Sequence, residues 1–246
     1  MPPLFLLTND DGYDSRGLQH LARIAQEYGD VVVMAPERNS SGLGASLTTG
    51  RPLHVRTVSE APGCHVYACD GTPVDCVKMA LEHFCPRMPA MVFSGINFGS
   101  NASINIIYSG TMGAVLEACL CGCQAVGFSL LSHKPDCDFN PCSDPIRRII
   151  SHLLQHPLPD WTALNVNIPH LPADQLRGIR TCRQARAAWK DSLERHLDEQ
   201  GQPYYMMTGR FVCDNPPADT DEYLLSQGYV TAVPIHPDLT AHELLG

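Results

Sequence analysis

The sequence predicts an α/β fold: a mostly parallel sheet with helices on both faces. Short apolar runs recur along the chain, and segments of helical periodicity separate them. The runs are continuous rather than alternating, as expected for strands buried on both faces. With 44% hydrophobic and 17% charged residues over 246 positions, the chain can bury a sizeable core.

Each element follows from local pattern. Leu4-Phe5-Leu6-Leu7 opens as a buried strand. In "SRGLQHLARIAQEYG", Leu18, Leu21, Ile24 and Ala25 recur at helical spacing. "DVVVMAPE" is a second strand and "AMVFSGIN" a third. The helical "GTMGAVLEACLCG" precedes the strand "AVGFSLL". "DPIRRIISHLLQHPL" is helical, and "TALNVNIP" is again a strand. Beyond it, "CRQARAAWKDSLERHLDEQGQPYYMMTG" is charged and broken by a turn at "DEQGQP", which predicts an extended hairpin or arm. "GYVTAVPI" is a final strand.

Several function classes are disfavoured. The net charge of -9, without a basic run, argues against binding a nucleic-acid duplex. No apolar run is long enough to span a bilayer, so no membrane partner is expected. Met1-Pro2-Pro3 lacks the basic start of a signal peptide, which predicts a cytoplasmic protein. The 11 cysteines are odd in number and without paired CxxC motifs, so they read as reduced, mostly buried thiols.

In such sheets, ligands sit beyond the carboxyl ends of the strands. Asp10-Asp11, the loop after Pro36 and Asn97 all follow strand ends, so one rim can hold them. Adjacent carboxylates at a poorly solvated rim repel, and one tends to protonate unless a cation intervenes. Oxygen donors of this kind suit Mg²⁺, Mn²⁺ or Ca²⁺. A turn or helix-cap role for one of the pair is the plainer reading. "APERNSSGLGASLT" offers the Ser40 and Ser41 hydroxyls. "FSGINFGSN" offers the Asn97 and Asn101 amides. Ser109-Gly110-Thr111 stands where a helix begins, and its free N–H groups suit a phosphate. A plain Ser/Thr cap explains the same residues, as Thr72 and Pro73 do in "DGTPVDC".

In this order, "TNDDG", "APERNSSGLGASLT", "GTPVDCV", "SGINFGSN", "YSGTMGA" and "LNVNIP" resemble the survival protein SurE family. The resemblance covers nearly the whole chain. It implies a Rossmann-like core over 1–180. It also implies a C-terminal part over 181–246, with a protruding hairpin and swapped segments that return to the core as one structural unit. The implied activity is divalent-metal-dependent hydrolysis of nucleoside 5′- and 3′-monophosphates, with short polyphosphate a further substrate. The implied ligands of one divalent cation per subunit, Mg²⁺ or Mn²⁺ with Ca²⁺ as a stand-in, are Asp10, Asp11, Ser41 and Asn97. Asp10 and Asp11 are the implied catalytic pair. Asn9, Asn97, Ser109, Gly110 and Thr111 are the implied phosphate-side groups. The family forms homodimers or homotetramers. Met206-Met207 departs from the aromatic character expected there. A non-catalytic nucleotide- or phosphate-sensing module on the same fold is the alternative.

Overall fold

A computed structural model describes residues 1–132, 134 and 136–245, apart from the side chain of Glu243. The elements run β1 (Leu4–Thr8), α1 (Arg16–Ala25), β2 (Asp30–Pro36), β3 (Val55–Ala61), β4 (Cys64–Cys69), α2 (Pro73–Met79), β5 (Met91–Phe98), α3 (Gly110–Leu120), β6 (Ala125–Leu131), α4 (Ser143–Gln155), β7 (Ala163–Pro169), β8 (Ile179–Thr181), β9 (Ala188–Leu197), β10 (Pro203–Val212), α5 (Asp221–Ser226) and β11 (Val230–Ile235).

Nine strands form one sheet in the order β3-β4-β2-β1-β5-β6-β7-β11-β8. From β4 to β7 all pairing is parallel. β3 runs antiparallel to β4, and β11 antiparallel to β7, while β8 runs parallel to β11. β9 and β10 form a separate antiparallel hairpin, as the charged stretch around "DEQGQP" predicts.

The period of two along each strand divides the core into two layers. Phe5, Leu7, Val31 and Val33 pack with Leu18, Leu21 and Ile24 of α1 and with Ile146 and Ile150 of α4. Leu4, Leu6, Val32 and Met34 pack on the opposite face with Val77 of α2 and Met112 and Val115 of α3. Each fully buried Leu or Phe contributes roughly 1.5–3 kcal/mol. Burial on both faces is why these strands read as unbroken apolar runs.

β3 and β4 escape that pattern. Apart from its first residue β3 is exposed, and its pairing with β4 shifts between Thr57 and Ser59, so neither an apolar run nor a clean alternation marks it. All 11 cysteines are free thiols.

β1 is the strand from which the chain order departs in both directions, to β2 on one side and β5 on the other. A crevice opens at the carboxyl ends of strands around such a switch point. Asp10 leaves β1 there, the Ser40-Ser41 loop leaves β2, and Asn97 lies at the end of β5.

Candidate active site

Asn9 and Asp10 are buried where β1 ends. Asn9 Nδ2 donates to the Gly12 carbonyl (3.0 Å) and to Ser15 Oγ (2.7 Å), and its Oδ1 accepts from the Gly12 N–H (3.2 Å). Ser15 in turn caps α1. The Asn9 amide is therefore engaged in shaping the turn, and it does not line the cavity described below.

Asp10 reaches the first turn of α3. Thr111 Oγ1 donates to Asp10 Oδ1 at 2.6 Å and lies 3.4 Å from Asn97 Oδ1. Burial pushes the Asp10 carboxyl above its ordinary pKa, while the Thr111 hydroxyl and the backbone N–H groups of Gly110 and Thr111 oppose that shift. Only glycine fits at 110: a Cβ there would lie 2.9 Å from the Asp10 Cβ. The start of α3, expected from sequence to be free for a phosphate, thus already faces a carboxylate, which its dipole favours. Ser109 lines the cavity and caps α3 by accepting from the Met112 N–H. Gly110 and Thr111 contact Asp10.

Asp11 stands beside this pair. Its pKa is pushed up to about 7, first by burial and then by the Asp10 charge, against the lowering effect of the Phe98 N–H. Two carboxylates that resist joint ionisation, flanked by neutral oxygens, form a donor set that fits a hard divalent cation. Among the described residues no three His, Cys, Asp or Glu side chains gather as a metal cluster. A cation here would depend on two carboxylates and the neutral oxygens of Ser41 and Asn97.

The two serines of the second loop separate in role. Ser40 bonds the Asp10 carbonyl through its N–H (2.8 Å) and hydroxyl (3.3 Å). Ser41 is exposed and lines the cavity. "GTPVDC" holds this loop. The Thr72 hydroxyl donates to the Ser46 carbonyl (2.8 Å), and Asp75 Oδ1 accepts from the Thr48 N–H (3.0 Å). Thr72 and Asp75 also form the capping box of α2, with Pro73 in its first turn. Asn97 follows a register shift between β5 and β6, the kind of irregularity that re-aims a side chain. Its Nδ2 donates to the Gly99 carbonyl (2.9 Å).

Sequence reasoning assigned no role to Asn165, Asn167 and Asp221 behind the site. "LNVNIP" places Asn165 and Asn167 on one face of β7. Asn167 Oδ1 accepts from the Asn101 N–H, Asn165 Nδ2 donates to the Asn101 carbonyl, and Asn101 Nδ2 donates to Ser129 Oγ, all at 2.8–2.9 Å. These bonds brace the loop that follows Asn97. Asp221, fully buried, accepts from the N–H groups of Ser103 and Ala185 at 2.8 Å and so ties the late chain to that loop. Asparagines two apart in an otherwise apolar strand were the available signal.

Asp10, Ser41, Asn97 and Ser109 line a cavity of about 860 Å³, which continues past Tyr108 and Glu222 to Trp189 and Phe211 at the foot of the hairpin. Burial, and then the neighbouring Asp221 charge, push the Glu222 carboxyl up to about 7. A second cavity, of about 810 Å³, lies against α4 and contains no carboxylate.

The family model described as Survival protein SurE matches residues 5–191. The chain belongs to the SurE family. A relative from Christiangramia forsetii named 5′-nucleotidase SurE is 44% identical over 245 residues, covering 99% of this chain and 94% of that protein. One of the same name from Flavobacterium psychrophilum is 43% identical over 244 residues, covering 99% and 95%. A crystal structure of the SurE protein from Aquifex aeolicus superposes with a TM-score of 0.86 at 35% identity, covering 99% of this chain and 97% of that one. All three strand-end loops lie inside the SurE match, whereas Asp221 and Glu222 lie beyond it.

Proposed function

We propose that this protein is a divalent-metal-dependent 5′-nucleotidase that hydrolyses nucleoside 5′- and 3′-monophosphates to nucleoside and phosphate. One observation carries the reading: Asp10, Ser41 and Asn97, from three separate strand-end loops, line one cavity with Ser109. The relatives named 5′-nucleotidase SurE support it across almost the full chain.

Asp10, Asp11, Ser41 and Asn97 are the residues that would hold the cation, Mg²⁺ or Mn²⁺. When bound, it supplies charge neutralisation and polarisation of a phosphoryl oxygen. The chain's own groups do the rest. Asp10, in preference to Asp11, positions the attacking water or takes its proton, which passes on to the departing nucleoside oxygen as its bond to phosphorus breaks. Thr111 and Gly110 fix that carboxylate in place. Ser109 holds the phosphate side of the cavity, and Asn9 keeps the Asp10–Asp11 turn in register. The exposed Leu193, Leu197, Tyr205 and Met207 of the arm support assembly into a homodimer or homotetramer. The free cysteines support a reducing, cytoplasmic setting. No helix among the described residues is long and apolar enough to cross a membrane.

The test is phosphate release from a panel of nucleoside monophosphates with Mg²⁺, Mn²⁺ or EDTA. Release should require metal, and Asp10→Asn should lower kcat by about 10²–10⁴-fold, the usual contribution of a positioned base. Folded protein that binds a nucleotide but releases no phosphate with any metal would favour a sensing module instead. Recovery of a phosphorylated aspartate from labelled substrate would replace direct water attack with a covalent route.

A further inference from the structure

The second cavity, of about 810 Å³, has a floor set by strand register. β11 pairs Pro234 with Leu164 of β7, and Ala232 with Thr181 of β8. All four residues line the cavity, as does Ile179, two before Thr181 and so on the same face of β8. α4 supplies one wall through Ile149 and Leu153, both buried. Ala232 has the smallest side chain of the floor and lies one strand in from the β8 edge of the sheet, so the core is thin there.

A further wall is held in shape. Pro157, Leu158 and Pro159 line the cavity after α4. The Gln124 side chain grips Leu158 at both backbone groups: Nε2 donates to the Leu158 carbonyl (3.0 Å), and Oε1 accepts from the Leu158 N–H (2.6 Å). The two flanking prolines have fixed φ. Small-molecule sites are largely pre-formed, mostly apolar spaces of roughly 300–1,000 Å³ with a few polar groups that orient the ligand. This cavity has that size and that lining.

Charge selects the occupant. In a chain of net charge -9, none of the described residues that line this cavity is acidic. Its basic and imidazole groups are Arg147, Arg148, His152 and His156. Arg147 is engaged by Glu27 through bonds of 2.6 and 2.7 Å. Arg148 is held more loosely: its side chain is 60% exposed, and its ion pair with Asp144 spans 4.0 Å. His152 lies one helical turn on from Arg148 and stacks on His156, with ring centroids 4.7 Å apart. A guanidinium fork matches a carboxylate, and an imidazole N–H adds a further donor. A cationic head is repelled by this set. An apolar body with one carboxylate satisfies the floor and the rim together.

We infer that this cavity binds a small amphiphilic carboxylate of the medium-chain fatty-acid class, with its chain against Leu153, Leu164 and Ala232 and its carboxylate at Arg148 and His152. The site shares no lining residue with the cavity that holds Asp10, so it stands apart from the nucleotidase reading.

Octanoate, below its micelle concentration, is the probe. Calorimetric titration of the full chain should show saturable binding of one octanoate per chain, unchanged by saturating inorganic phosphate. Octanol, with the same chain and no charge, should bind about tenfold or more weakly, the factor expected from losing a hydrogen bond to a charged group. Arg148→Gln, a change at an exposed side chain, should weaken octanoate by a similar factor and leave octanol unchanged. Ala232→Leu, which fills the floor, should abolish both in protein with native circular dichroism; if that variant does not fold, Arg148→Gln decides. Absence of saturable octanoate binding to the folded wild type overturns the site. So does equal affinity for octanoate and octanol, or an Arg148→Gln effect that is absent or equal on both. Octanoate binding that vanishes as the chain self-associates at higher concentration assigns this face to a second copy, and overturns the proposal as well.

Discussion

The sheet core and the hairpin arm are made of the same chain but of opposite surfaces. Every residue of β1 is buried, as are all but the last residues of β5 and β6. Every residue of β9 is exposed, and β10 is exposed along most of its length. The core holds Asp10 and Asn97 where packing leaves them little freedom. The arm holds Trp189 and Asp191 at its foot and is exposed in the single chain toward its tip. On the proposed reading, the candidate catalytic groups belong to the part that cannot move without unfolding. The arm is the part that tolerates change.

That contrast can be broken by mutation. Phe93 is fully buried and stacks on Phe5 with ring centroids 5.4 Å apart. Phe93→Ala should cost about 3–5 kcal/mol of stability by denaturant melt. Tyr205→Ala on the arm should change unfolding of the single chain by no more than about 0.5 kcal/mol. Equal losses would mean that the arm is packed in solution and that the division is false.

Gly110→Ala tests the junction of core and chemistry. In an ordinary helix this change is stabilising by about 1 kcal/mol. Here the new methyl displaces Asp10, and a displacement near 1 Å at a reacting group costs on the order of 10²-fold in kcat. The expected pattern is lost phosphate release with little change in Tm. Retained activity would remove Gly110 from the positioning of Asp10.

A pH effect concerns Glu222, where the two regions meet. Its folded pKa of about 7 lies above the ordinary glutamate value of 4.5. Between those values the folded state holds a proton that the unfolded state has released. Stability therefore falls as pH rises from about 4.5 to 7, and the loss is complete above 7. Glu222→Gln should flatten that part of the Tm-against-pH curve and leave acidic pH unchanged. Parallel curves for the two proteins would show that the carboxyl is solvated.

Part of this was legible in the chain itself. Asp10-Asp11 stands out because adjacent carboxylates at the end of an apolar strand need a reason. Asn97 and Ser109 stand out because they follow a strand and precede a helix. Ser40 and Ser41 are indistinguishable by type. The fold separates them by engaging one with the Asp10 carbonyl and leaving the other at the cavity. For Asn9 and Thr111, which the family resemblance sets on the phosphate side, the fold shows bonds to the turn and to Asp10 that spacing does not reveal. Short polar side chains have too many possible partners for spacing to choose among them.

By itself, then, the sequence determined the mostly parallel sheet, the order of β1, β2, β5, β6, β7 and β11 along the chain and the three loops that carry oxygen donors. Local pattern suffices there, because burial on both faces and helical spacing are recorded residue by residue. Only the tertiary structure decided that β11 enters the sheet between β7 and β8, that Asp221 and Glu222 come to the site from far along the chain, and that Trp189 faces the same cavity as Asp10. Those are contacts between residues distant in sequence. Their energies depend on which surfaces meet, and no local period encodes that.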